Sequence, residues 1–116
     1  MTGNEYQEIC MRTTSPISRA TSDNLLLQGV MGMCGEAGEA IDIVKKIIMQ
    51  GHPFDDAAKE HLAYEIGDVL WYAATASYAL GYDFDDIMRM NTEKLKKRYP
   101  DGFKSENSLH RKDGDI

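Results

Sequence analysis

Residues 30–48 read VMGMCGEAGEAIDIVKKII, and the spacing of their apolar side chains decides the fold. Val30, Cys34, Ala37, Ile41, Val44 and Ile48 recur at three- and four-residue intervals, the pattern of one helix face. Glu36, Glu39, Ile43, Lys46 and Ile47 fall on roughly the opposite side at ~100° per residue. A helix that is apolar on two sides is expected to be buried on both. Gly29, Gly32, Gly35 and Gly38 stand at every third position, each costing about 1 kcal/mol of helix propensity against alanine. Either a packed neighbour or a ligand approaching the backbone would account for them, and the spacing alone leaves both open.

Working outward, this helix starts at Ser22 or Asp23, either of which can cap it, and stops at Gly51-His52-Pro53. Upstream, a short helix over Asn4–Arg12 carries Tyr6, Ile9, Cys10 and Met11, and Thr13–Ser22, with Ser15-Pro16, reads as a loop. Downstream, a third helix over Asp55–Leu80 has Leu62, Ile66, Val69, Leu70, Ala73 and Ala76 on one stripe and Gly81 after it. A fourth begins at Asp83–Asp86, acids that suit a helix N-terminus, and runs to Tyr99 before Pro100. Residues 104–116 are polar and aperiodic and are expected to form a flexible tail. The expected fold is all-α: a four-helix bundle over residues 1–103 whose second and third helices face each other. Two-sided burial in so short a chain implies completion of the core by homo-oligomerisation.

Composition narrows the function classes. A chain of 116 residues is one domain by size, and its 42% hydrophobic and 28% charged content is that of an ordinary globular protein. A net charge of −6 argues against a nucleic-acid binder, which would be basic. Two cysteines, Cys10 and Cys34, are too few for a disulfide framework, and Cys34 on its apolar face is expected to be a small buried hydrophobe. The sequence shows neither a basic-then-apolar leader nor a long apolar span, so no membrane role is expected and the default location is the cytoplasm.

The chemistry lies in two acidic pairs, Glu36-Ala37-Gly38-Glu39 and Glu65-Ile66-Gly67-Asp68. Spacing of i,i+3 puts both carboxylates of each pair on nearly one helix face. One such pair is unexceptional on a solvated helix. Two pairs on adjoining apolar helices would place four charges in surroundings that desolvate them, at a cost that a cation can offset. Oxygen donors favour hard divalent ions, so the expectation is Mg²⁺, with Mn²⁺ as a possible substitute, and from there phosphate chemistry. A di-iron carboxylate bundle would need Glu-x-x-His pairs, and no glutamate here has a histidine three residues later.

The fourth helix adds a complementary face of Asn91, Lys94, Lys97 and Arg98, followed by Tyr99. Cations at a helix C-terminus are favourable in their own right. Beside an acidic metal cluster they also suit a polyphosphate, with arginine binding in a fork. Lys45 and Lys46 are weaker candidates for the same role, Asp42 can add a ligand or orient a water, and Trp71 and Tyr72 can stack on a base or fill the core.

Taken together, Gly35-Glu36-Ala37-Gly38-Glu39 leading to Lys45-Lys46, and Glu65-Ile66-Gly67-Asp68-Val69-Leu70-Trp71-Tyr72, resemble the MazG-like nucleoside triphosphate pyrophosphohydrolases of the all-α NTP pyrophosphatase superfamily. Asn91-x-x-Lys94-Leu95 and Arg98-Tyr99-Pro100-Asp101-Gly102-Phe103 continue the resemblance, which covers residues 5–103. It implies hydrolysis of an NTP or dNTP to the monophosphate and pyrophosphate, Mg²⁺-dependent, by water attacking the α-phosphorus. It also implies a homodimer or dimer of dimers. Carried over, Glu36, Glu39, Glu65 and Asp68 become catalytic metal ligands, and Lys46, Trp71, Asn91, Lys94, Arg98 and Tyr99 become contacts to the nucleotide. Two alternatives stand beside it: a non-catalytic helical dimerisation module binding nucleotide or metal, and a related dUTPase or phosphoribosyl-ATP pyrophosphatase.

Overall fold

The computed structural model describes residues 1–116 as five helices: α1 Gly3–Arg12, α2 Ser22–Gln50, α3 Asp56–Ala79, α4 Phe84–Arg98 and α5 Ser105–Leu109. The chain is all-α, as the periodicity predicts. Each long helix starts where a side chain can take up a free backbone N–H. Thr2 and Glu5 form a reciprocal capping box on α1. Thr21, one residue earlier than expected, caps α2 through Asn24 N at 3.0 Å, and Asp55 caps α3 through Ala58 N at 2.9 Å. Gly51 ends α2 in a left-handed conformation (φ 70°) that a side chain would strain.

α4 is capped differently. Asp83 makes no side-chain cap. Instead, α1 supplies the acceptors: Phe84 N donates to Gln7 Oε1 at 3.2 Å and Asp85 N to Asn4 Oδ1 at 2.9 Å. Asp85 Oδ1 accepts in return from Gly3 N at 2.8 Å. Two helix N-termini therefore satisfy each other's unpaired donors, fixing α1 against α4.

α2 and α3 form the principal packing, with α1 lying on α3 and α4. Two of the periodic glycines explain the closeness of the hairpin. A Cβ on Gly29 would come within 2.7 Å of Ala76 Cβ and 2.9 Å of its backbone, and one on Gly32 would overlap the Tyr72 ring. Gly35 and Gly38 meet nothing, so the repeated spacing covers two different environments.

The core is small, formed by Cys10, Ala74 and Phe84 with Tyr6, Trp71, Ala73 and Ile87 around them. One side of α2 is uncovered: Leu27, Met31, Ile41 and Ile48 are 60–68% exposed. Cys34 lies on this side and is exposed rather than buried, because nothing in the chain covers that face. The radius of gyration, 17.2 Å, exceeds the roughly 13 Å of a compact domain of this length. Over residues 104–116, where a flexible tail is expected, the chain forms α5 and brings Asp115 back to Arg98 on α4. No helix is long and apolar enough to cross a membrane.

Candidate metal centre and its surroundings

Antiparallel packing of α2 on α3 brings Glu36, Glu65 and Asp68 together: each offers a carboxylate oxygen, and all three lie within 4.8 Å of one another. Glu65 is buried, Glu36 half-buried and Asp68 exposed, so the group opens to solvent on one side. Partial desolvation, followed by repulsion from Glu39, Asp68 and Glu65, pushes the Glu36 carboxyl above its ordinary range. Glu39 thus borders the group electrostatically while standing outside the converging three.

No lysine or arginine relieves this crowding. Lys45 and Lys46, the nearest on α2, both bind Asp42, at 2.5 and 2.6 Å, and hold its carboxyl down at about 2. Asp42 is therefore a poor proton acceptor, and Lys46 is engaged on its own helix. The one contact to the cluster from a nitrogen base is His61 Nε2, 3.0 Å from Glu65 Oε1. Three converging carboxylates, one with raised proton affinity and none with a permanent counter-ion, fit a hard divalent cation.

One turn along both helices lies a shallow hollow of about 570 Å³, lined by Ile17, Asn24, Gln28, Met31, Gly32 and Tyr72 among others. Gly32 precedes Glu36 by four residues and Tyr72 follows Asp68 by four, so the hollow adjoins the acids. Gln28 Oε1 is buried here with no partner. The neighbouring Trp71 does not line the hollow. Its Nε1 donates to Thr13 Oγ1 at 2.8 Å and its ring meets Tyr72 edge-on.

The basic residues of α4 are placed elsewhere. Helix α4 packs on α1 and α3 and makes no extended contact with α2. Asn91, Lys94 and Arg98 line a separate cavity closed by the C-terminal segment, and Tyr99 packs on Phe103 with ring centroids 5.2 Å apart. The structure therefore unites three of the four acids, and Asn91, Lys94 and Arg98 line a different cavity. Gln7, Thr13 and Asp115 carry contacts that nothing in the local pattern marks.

Residues 26–103 match the family model of the MazG nucleotide pyrophosphohydrolase domain. The chain belongs to that family. All the acids of the candidate metal centre fall inside the matched region of this MazG domain. The chain is also similar, at 35% identity over 69 residues, to the "Gene 37 protein" of Mycobacterium phage L5. That similarity covers 59% of this chain and 60% of the phage protein. No solved structure matches the chain.

Proposed function

We propose that this MazG domain hydrolyses nucleoside triphosphates to the monophosphate and pyrophosphate with Mg²⁺. The observation that carries the reading is the convergence of Glu36, Glu65 and Asp68 from two helices, without a lysine or arginine partner, inside the family-matched region. These three would hold the ion, with Glu39 beside them. An ion held by these carboxylates would supply positive charge for the phosphate oxygens and lower the pKa of a water beside them. The chain's own part is to orient. Tyr72 offers an aromatic wall to a base in the adjoining hollow, and the amides of Asn24 and Gln28 offer donors and acceptors to its edge. No side-chain nucleophile is required.

A second copy completes this reading. The exposed apolar side of α2 and the expanded single chain favour a homodimer or dimer of dimers. In such an assembly Asn91, Lys94 and Arg98, which line their own cavity, would serve the triphosphate.

Product analysis on a panel of NTPs and dNTPs with Mg²⁺, comparing wild type with Glu36→Gln, tests the proposal. Monophosphate and pyrophosphate from wild type alone are expected. A folded wild type that binds nucleotide without turnover would instead make the chain a binding module.

A further inference from the structure

Arg98 and Asp115 form the best-shielded ion pair in the molecule. Arg98 Nε donates to Asp115 Oδ2 and Nη2 to Oδ1, each at 2.7 Å, and the two side chains are only 10% and 14% exposed. This parallel fork is the geometry in which arginine also takes two phosphate oxygens. Gly114, at φ 83°, makes the turn that brings Asp115 back onto α4, and Asp115 N closes it onto Lys112 O at 3.1 Å.

Between α4 and this segment is a cavity of about 660 Å³, within the size range of small-molecule sites. Its ionic walls are Lys94, Lys97, Arg98 and Lys112 against Glu93, Asp113 and Asp115. Arg98 Nη2 also donates to Ile116 O at 3.1 Å; counting side chains, removal of Asp115 would leave four cations facing two acids, a balance suited to an anion. Asp115 therefore stands as an internal anion on a cationic face.

We propose that residues 104–116 form a strap that holds Asp115 on Arg98 in the place of a substrate phosphate, so that strap and polyphosphate exclude one another. The inference rests on the nucleotide-hydrolase reading for its physiological ligand, but its chemistry is tested without turnover. A closed strap lowers apparent affinity by the fraction of open molecules. If one molecule in ten is open, releasing the strap tightens binding about tenfold.

The experiment titrates inorganic tripolyphosphate into the full chain by calorimetry in metal-free buffer, for wild type, Asp115→Asn, Arg98→Gln and the double variant. Asp115→Asn is expected to bind about tenfold more tightly, and the gain is expected to vanish in the Arg98→Gln background. Removing residues 113–116 provides a second release of the strap with the same expected gain, should Asp115→Asn misfold. Unchanged or weaker binding after release overturns the strap and leaves the pair a structural fastening. KM and kcat for NTP hydrolysis separate the two readings. Tighter tripolyphosphate binding without any hydrolysis would keep the strap and sink the hydrolase; hydrolysis with KM and tripolyphosphate affinity both unmoved would do the reverse.

Discussion

Replacing Gln7 with alanine is expected to be among the most damaging single changes outside the acidic cluster. Gln7 is 5% exposed and makes three hydrogen bonds to three parts of the chain. Its Nε2 donates to Ala74 O and to Tyr82 O, both at 3.1 Å, and its Oε1 accepts from Phe84 N at 3.2 Å. At about 1 kcal/mol net per bond, the loss is ~3 kcal/mol. Urea unfolding at fixed protein concentration, followed by circular dichroism, measures it as a lower midpoint with unchanged slope. Asn4→Ala is the internal control, because it removes one comparable bond, to Asp85 N at 2.9 Å, and should cost about 1 kcal/mol. Gln7→Glu keeps the acceptor and loses the donor, so at neutral pH it should match or exceed the alanine loss. Burial raises the folded pKa of that introduced carboxyl above its unfolded value. The variant should therefore recover stability as pH falls, since the protonated acid is tolerated. A loss below about 1 kcal/mol for Gln7→Ala, or equal losses at Gln7 and Asn4, would refute the account of how α1, α3 and α4 are joined.

Two further predictions follow from the α2–α3 hairpin. Gly29→Ala gains about 1 kcal/mol of helix propensity but forces a Cβ into the Ala76 backbone, and overpacking costs about 1–3 kcal/mol. A net loss is expected in urea unfolding, and a Gly29→Ala variant more stable than wild type would show that the helices are not so close. The second concerns Glu36, whose folded pKa lies above its ordinary 4.5. Such a group contributes most below its unfolded value, and that contribution is lost as pH rises through the folded value. In EDTA, Glu36→Gln should therefore match wild type in melting temperature near pH 4 and exceed it at pH 7. Mg²⁺ should close the gap by stabilising wild type; a gap independent of pH would count against the crowding of the acids.

The parts of the structure that are written locally were legible in the sequence. Apolar spacing with Gly51 and Gly81 as stops gives α2 and α3 to within a residue or two, and three of the four paired acids converge across that hairpin. What depends on distant partners was not legible. Gln7 looks like a surface glutamine on an amphipathic helix, because its three partners lie 67–77 residues away. Asp115 sits in a polar segment without periodicity, and its role comes from Arg98 across 17 residues. The glycine repeat shows the same limit from the other side. Gly29 and Gly35 are alike in spacing, yet one touches Ala76 and the other nothing, because only the helix crossing decides which positions are close.

Charge balance distinguishes the acidic cluster from the acids that are ion-paired elsewhere in the chain. Asp42 has two lysines, Asp86 and Glu93 share Arg89, Asp56 has Lys59, Asp101 has Lys104 and Asp115 has Arg98. Most of these pairs are exposed and contribute little to stability, but they show that basic side chains are available along the same helices. Glu36 and Asp68 have none, and Glu65, the most buried of the three, has only the imidazole of His61. A protein selected only to fold gains nothing from three uncompensated carboxylates held together, since each raises the cost of ionising the others. A multivalent cation that bound the folded state and not the unfolded one would relieve their repulsion, so the arrangement that weakens the bare chain would strengthen a loaded one. That inversion would set a binding site apart from a solvated helix face, and Glu36, Glu65 and Asp68 are the three carboxylates that converge closely enough for it, within 4.8 Å of one another.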